Sequence, residues 1–326
     1  MQLGRAANDM TTIGAVDIGG TKIAVGLVDE HGQLSWRLEF PTNANAGYAR
    51  AIGNIIDTLR KAESRSGKKM DGIGIGSTGP VYPLTGEIGD VNFFPSWCGQ
   101  NPVRDLEKAF GLSVAMENDA DASALGEAGW GKGRNKSRMI YVTVGTGIGV
   151  GIILDGRVYR GVADSHPEIG HHLVDFSGPP CTCGFRGCWE SLAAGPGMTA
   201  WLESHSPAGY AHRGGDLSAK RICELARAGD EWARRAVEHE SLYLGLGLAN
   251  VVTVFVPDAI VLGGSLMKSA DLFLDGIKTT IAASCRYVPY EKVEISLASL
   301  GEEANLIGAA CVWHHRFGST GGTHAG

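Results

Sequence analysis

Ile13-Gly-Ala-Val-Asp17-Ile-Gly-Gly-Thr21-Lys22 and, further along, Met139-Ile-Tyr-Val-Thr143-Val-Gly-Thr-Gly147 share one local pattern. In each, an apolar strand runs into a glycine-rich turn and a second apolar strand leaves it. An Asp then stands at the next hairpin, Asp29 in the first copy and Asp155 in the second. Asp155-Gly156 is a good tight-turn pair. The copies lie about one domain length apart. They read as two similar α/β domains, each offering backbone N–H groups of a glycine turn to phosphates. The alternative is two unrelated hairpins that need glycine for positive φ, and the pattern alone does not separate the readings.

Around the first copy the elements are short and regular. Residues 23–28 and 34–40 read as two further strands. Residues 49–60 carry Ile52, Ile55, Ile56 and Leu59 at helical spacing, with Lys61 near the end where a cation suits the helix dipole. Residues 72–76 read as a buried strand, Leu106, Ala109 and Phe110 mark a helix, 113–117 a strand and 119–129 a helix. The order is three strands, helix, strand, helix, strand, helix. In the second half, 217–228 and 231–249 read as helices, and 259–262 as a strand before Gly263-Gly264. The expected division is a first lobe over 1–124 and a second over 125–301. A helix over 302–317 is expected to return to the first lobe, because Leu306, Ile307, Ala310 and Val312 need a surface to cover. Residues 318–326 read as a flexible tail.

Composition narrows the function. Hydrophobic residues at 44% and charged residues at 20% fit a globular chain and exclude wholesale disorder. The 48 glycines are in excess and gather at strand ends, as tight turns and close backbone approaches require. A net charge of -6 argues against a nucleic-acid footprint. The apolar stretch 242–262 is broken by Asn250, Pro257 and Asp258, so no membrane span is expected there. Residues 1–12 lack the apolar core of a signal peptide, and the expectation is a soluble, cytoplasmic chain.

Three of the seven cysteines crowd into 181–188, which suggests a metal more than a disulfide framework. His171, Cys181, Cys183 and Cys188 form an H-x9-C-x-C-x4-C array whose three sulfurs and one nitrogen suit a closed, structural tetrahedral zinc. His172 is an adjacent substitute for His171, and the alternative is a set of buried free thiols. Gly74-Ile-Gly76-Ser-Thr-Gly79 has the letters of a dinucleotide fingerprint, but Pro80 steers Gly79 away from helix, so NAD binding is rejected. No Walker-type loop is present. Glu117-Asn118-Asp119 sits where a strand gives way to a helix, so Asp119 is either a general base or a helix cap. Glu168 and Glu190 flank the cysteine array, placed either to hold a polyol or to form surface ion pairs.

Asp17-Ile-Gly-Gly-Thr-Lys22, Glu117-Asn-Asp119, Val144-Gly-Thr-Gly147, Glu168-Ile-Gly-His171, the run from Cys181 to Glu190, and Leu262-Gly-Gly264 occur in this order. With them the chain resembles the ROK family of repressors and sugar kinases over roughly residues 13–315. The resemblance implies the two-lobed α/β actin/hexokinase-like (ribonuclease H-like) ATPase fold with a structural zinc loop in the second lobe. It implies Asp119 as catalytic base, with Asn118, Glu168, His171 and Glu190 on sugar hydroxyls and His171 also on zinc. Gly79 lies against the sugar, and Asn92 in the loop 91–97 is a further contact. Gly19, Gly20, Thr21 and Lys22 approach the phosphates of ATP from one lobe, and Gly145, Thr146 and Gly147 from the other. Gly263 and Gly264 lie by the nucleoside, and Asp17 orients Mg²⁺ through water. Homodimers are common in the family.

Repressors of the family carry an extra N-terminal DNA-binding domain, and only about a dozen residues precede the first strand here, so a kinase is expected. The competing classes are a sugar sensor without catalysis and an actin-like filament ATPase, the latter disfavoured by the cysteine array. Residues 76–80, Phe94-Pro-Ser-Trp97 and the full cysteine motif look most like glucokinases. N-acetylmannosamine and N-acetylglucosamine kinases share nearly every site residue, and polyphosphate stays open as an alternative donor.

Overall fold

In the computed structural model, which describes residues 10–91, 94–208, 210 and 217–318, the first quoted stretch is strand β1 (Thr12–Ile18) and its turn into β2 (Lys22–Asp29). A meander continues into β3 (Leu34–Pro41). Helix α1 (Tyr48–Ser66), strand β4 (Gly72–Ser77), the small hairpin β5 (Val81–Tyr82) and β6 (Glu87–Ile88), α2 (Pro102–Phe110), β7 (Ser113–Asn118) and α3 (Asp119–Trp130) follow. β1 pairs antiparallel with β2 and parallel with β4, and β4 pairs parallel with β7, giving the order β3-β2-β1-β4-β7.

The second copy opens β8 (Arg138–Val144), β9 (Ile148–Leu154) and β10 (Arg157–Val158). Helices α4 (Trp189–Ala193), α5 (Gly195–His205), α6 (Ala219–Arg227) and α7 (Glu231–Phe255) precede β11 (Ala259–Gly263). Then come α8 (Leu274–Ser284), β12 (Glu294–Leu297) and α9 (Ala304–Phe317). The second sheet runs β10-β9-β8-β11-β12, the same third-second-first-fourth-fifth order as the first. The repeat read from the glycine turns is therefore a repeat of topology. The second copy departs from the expected one-helix spacing, with α4 to α7 all inserted between its third and fourth strands.

The chain divides into two units. One comprises Met1–Asn135, Gly151–Pro167 and Ala298–Gly326, the other Lys136–Val150 and Glu168–Leu297. This differs from the expected border after residue 124. Helix α3 continues past that point, and its Glu127 carboxylate accepts from the backbone of Lys132, Ser299 and Leu300. Gly151–Pro167 belongs with the first unit, where its Arg160 and His166 meet Glu117 and Asp121.

Alternation along β1 and β4 builds both faces of the first sheet. Val16, Ile18, Ile73 and Ile75 join Ile52, Ile55 and Leu59 of α1 in one cluster. Ile13 and Ala15 join Leu306, Ala309 and Ala310 of α9 in another. On that second face β4 presents Gly72, Gly74 and Gly76, and a Cβ at Gly74 would fall into the Ala309 backbone. A Cβ at Gly72 would fall into the Trp313 indole. Gly74 and Gly76, two of the three glycines that mimic a dinucleotide fingerprint, thus form the bed of the C-terminal helix together with Gly72. Asp17 stands on this same face by the period of two. No helix among the described residues is long and apolar enough to cross a membrane. Asn92 and residues 319–326, named above as a sugar contact and part of a tail, lie outside the described residues.

Candidate active site

In the first unit the strand-to-helix junction β7–α3 carries the polar centre. Asn118 is the N-cap of α3, and its side-chain oxygen accepts from the Ala120 N–H at 2.9 Å. The cap is thus filled by Asn118, and Asp119 is the first helical residue. Asp119 Oδ1 also accepts from Ala120 N–H, at 2.8 Å, and Oδ2 accepts from the Thr78 hydroxyl at 3.1 Å. Thr78 is placed by its backbone N–H on the Ile18 carbonyl, which ties β4 to the first glycine turn. A Cβ at Gly79 would stand 3.0 Å from the Asn118 amide nitrogen and press on that side chain.

Two buried carboxylates flank this junction. Glu117 takes Arg160, and Asp121 takes His166 at 2.8 Å. Burial pushes Asp121 up, and His166 pulls it back. The segment that brings Arg160 and His166 lies far away in sequence, so no local pattern marks it. Thr78, 41 residues before Asp119, carries no local mark for the same reason.

The first glycine turn is closed by Gly19 N–H on the Lys22 carbonyl at 3.0 Å and by the Thr42 hydroxyl on the Gly19 carbonyl at 2.6 Å. Gly20 and Thr21 are exposed at its tip. Lys22 Nζ pairs with Glu39 at 3.0 Å, so its charge is held along β3. Loss of hydration, with the Asp119 charge second, pushes the Asp17 carboxyl up to about 7, while Asn305, Lys22 and Arg37 pull it down. Two neighbouring carboxyls beside a glycine turn, one of them short of positive charge, are a donor set that fits a hard divalent cation.

In the second unit the four ligand atoms of His171, Cys181, Cys183 and Cys188 lie within 4.8 Å of one another. Cys183 Sγ and Cys188 Sγ are 3.6 Å apart, and Cys181 Sγ is 3.4 Å from His171 Nδ1. Zn–S bonds of about 2.3 Å make tetrahedral S···S edges of about 3.8 Å. The separations fit that edge and are far too long for a disulfide, so the array fits a tetrahedral zinc with no open position. Gly184 and Gly187, both at positive φ, let the loop reverse around the donors.

His171 turns Nδ1 toward the sulfurs, and its Nε2 lies 4.0 Å from Glu190 Oε1. Glu190 sits on α4, two residues after the last cysteine of the array, and its Oε2 accepts from the Ile148 N–H at 2.9 Å. Glu168 is exposed and sits just before the 3₁₀ turn Ile169–His171. The second glycine turn is braced from the same segment: Gly195 N–H donates to the Gly145 carbonyl at 2.8 Å, and Gly145 N–H to the Gly147 carbonyl at 2.9 Å. A Cβ at Gly147 would run into the Glu190 carboxylate, and one at Gly264 into Val144. The second unit therefore brings Gly145, Thr146, Gly147, Gly263, Gly264, His171 and Glu190 into one neighbourhood.

The profile of the ROK family matches residues 13–316. The glucokinase of Halalkalibacterium halodurans is 35% identical over 307 residues, covering 90% of this chain and 92% of that protein. The N-acetyl-D-glucosamine kinase of Shigella flexneri is 32% identical over 307 residues, covering 90% of this chain and 96% of that one. Among solved structures, a ROK family glucokinase from Streptomyces griseus in complex with glucose and AMPPNP is 32% identical. It aligns with a TM-score of 0.74 over 92% of this chain and 98% of that one.

Proposed function

The chain belongs to the ROK family, and from that premise we propose that it is a sugar kinase transferring the γ-phosphoryl group of ATP to a hexose, glucose at its C6 hydroxyl. The observation that carries the chemistry is the state of Asp119. Its carboxylate is aimed from two sides, by Ala120 N–H and by Thr78, while part of its surface stays open. It is released from capping, because Asn118 does that. A carboxylate so held accepts a hydrogen bond from a sugar hydroxyl, directs its lone pair at phosphorus, and takes the proton late. Phosphoryl transfer passes through a loose transition state, so the proton becomes acidic only as the new O–P bond forms.

The second unit supplies sugar recognition. A metal on His171 Nδ1 leaves the ring proton on Nε2, which makes His171 a donor. Glu190 Oε1 beside it is an acceptor, and exposed Glu168 is another. One donor flanked by carboxylates matches adjacent hydroxyls of a pyranose. A zinc ion held by His171, Cys181, Cys183 and Cys188 would give this loop rigidity, and His171 and Glu190 would stay in register. Gly19, Gly20, Thr21 and Lys22, with Gly145, Thr146 and Gly147, serve the phosphates, and Gly263 and Gly264 the nucleoside. Asp17 is assigned to Mg²⁺ through water. Mg²⁺, when bound with the nucleotide, neutralises phosphate charge. The assembly is read as a homodimer, checked by light scattering.

Glucose takes first place because the glucokinase relative is 35% identical, against 32% for the N-acetyl-D-glucosamine kinase at the same coverage of this chain. The N-acetylhexosamine reading rests on the kinase from Shigella, which matches nearly as well. Shared hydroxyl contacts discriminate poorly at C2. Coupled ADP release over glucose, mannose, fructose, N-acetylglucosamine and N-acetylmannosamine decides. Glucose is expected to give the highest kcat/KM. A higher value for an N-acetylhexosamine would replace the sugar, and sugar binding without any ADP release would make the chain a sensor.

A further inference from the structure

Segment Gly151–Pro167 belongs to the first unit and meets the β7–α3 junction at three points. At its start Gly151 rests on α3, where a Cβ would run into the Ala120 carbonyl. Further on, the Arg160 guanidinium grips both oxygens of Glu117, with Nη2 on Oε1 and Nε on Oε2 at 3.4 Å. Near its end His166 Nδ1 and Asp121 Oδ2 share a hydrogen bond at 2.8 Å. Glu117 and Asp121 are both buried, and they stand two residues before and two residues after Asp119.

The chain between the two anchors is not slack. Gly161 N–H donates to the Ser165 carbonyl at 2.8 Å and Ser165 N–H to the Val162 carbonyl at 3.2 Å, which closes residues 161–165 into one turn. Inside it Ala163 and Asp164 both have left-handed backbone, with φ of 53° and 58°. That region is costly for a residue with a Cβ, and such strain persists where the surroundings enforce it. The turn gains no burial at its apolar tip, since Val162 is 90% exposed. What it secures is the spacing of Arg160 and His166. The far end of α3 is held by other means, through Glu127 on the backbone of Lys132, Ser299 and Leu300. The two side-chain anchors of the segment therefore fall on the end of α3 that carries Asp119.

We propose that Arg160 and His166 are positioning residues that clamp the main chain on either side of Asp119, so that its carboxylate keeps its aim at the acceptor hydroxyl. The proposal rests on the reading of Asp119 as the base. The Asp119 carboxylate accepts from Ala120 N–H, and Ala120 lies inside the clamped stretch, so a shift of that stretch carries the carboxylate with it. Buried ion pairs are weak sources of stability, and fixing one arrangement is their better use. Misplacement on the scale of 1 Å costs about 100-fold in rate, and the loss of one anchor of two is expected to cost about tenfold.

The test is a double-mutant cycle on the full-length protein with His166→Ala and Asp121→Ala, read by kcat, by both KM values and by the urea midpoint. Each single variant is expected to lower kcat about tenfold with the ATP KM unchanged. The double variant is expected to be no more than about twofold slower than either single one, because both remove the same bond. Asp121→Asn keeps an oxygen for an imidazole N–H and is expected to hold kcat within about twofold of wild type. Arg160→Lys keeps the charge beside Glu117 but loses the two-point grip, and is expected to lower kcat about threefold in a folded protein. Full kcat in folded His166→Ala and Arg160→Lys would overturn the positioning role, however far the midpoint fell. Should Asp121→Ala fail to fold, those two variants decide alone. Multiplying losses in the cycle would mean that His166 and Asp121 act separately, and would overturn the clamp. A raised sugar KM at unchanged kcat would mean that the segment acts on Glu168, two residues past His166, and would overturn it as well. A wild-type protein that phosphorylates no sugar would bring down the sugar-kinase reading and this proposal together, whereas unchanged variants of an active protein bring down this proposal alone.

Discussion

For Asp119 the sequence leaves two readings, base or cap, and the structure fills the cap with Asn118, so the base reading is the one proposed above. The substitution Asp119→Asn therefore leaves helix α3 capped and keeps an oxygen for Ala120 N–H or Thr78. It removes only the ability to take a proton. General-base assistance is worth roughly 10²–10⁴-fold, so kcat is expected to fall by about that factor with sugar and nucleotide affinity retained. Turnover near the wild-type rate would move the base elsewhere, to Glu168 first. The grouping of His171, Cys181, Cys183 and Cys188, and the place of Asp119 and Glu190 at the start of a helix, could be read from sequence because each sits in a short motif whose spacing encodes its geometry. Thr78, Arg160 and His166 could not, since their partners stand far away along the chain and become neighbours only on folding.

At the scale of elements, β4 shows how one string of letters serves two physical purposes. Gly72, Gly74 and Gly76 alternate with Ile73 and Ile75, so one face is apolar and the other bare. The bare face admits the backbone of α9, and the C-terminal helix crosses α3 where Gly126 and Gly308 nearly touch, a Cβ on the first standing 3.0 Å from the second. Gly74→Val overfills this bed and should destabilise by about 1–3 kcal/mol or more, measured as a lower urea midpoint. An unchanged midpoint would mean that α9 does not bear on β4. The sequence showed an apolar-glycine strand, but only the packing partner explains the glycines.

Helix α7 carries the opposite kind of feature, a cost. Glu240 is fully buried with neither carboxylate oxygen hydrogen-bonded, and burial pushes its pKa well above the ordinary value. The folded state then holds a proton that the unfolded chain gives up at lower pH. Stability from this group is present in acid and falls as pH rises above the usual carboxylate range. Asp17 and Asp121, also raised, add to the same slope. Glu240→Gln is expected to flatten the decline of the urea midpoint between about pH 5 and 8 and to leave the variant the more stable one at pH 8. A slope identical to wild type would show that Glu240 stays charged in the fold.

Across the whole molecule the duplication was legible because each copy begins with the same strand, glycine turn and strand, while the shared sheet order appears only in the structure. The unit borders were not, because the sequence carries no mark for which unit takes back the hairpin after Gly151. All four candidate metal donors fall in the second unit, and so does the strut that backs them: the Tyr243 hydroxyl on α7 donates to Asp175 at 2.8 Å, and Asp175 N–H donates to the Gly187 carbonyl at 3.2 Å. Removing the metal should therefore loosen one unit and spare the other. Hydrogen exchange before and after chelation is the measurement. Amides of 168–193 and of α7 around Tyr243 are expected to exchange faster, while β1, β4 and α9 keep their protection. Sugar affinity should fall in parallel, since His171 and Glu190 lose their frame, and Cys183→Ser should reproduce both effects without chelator. Uniform loss of protection in both units would mean that the metal supports global folding rather than the recognition loop. No change in either unit, with the Cys183→Ser protein retaining its metal and its kinetics, would mean that the four donors were assigned wrongly.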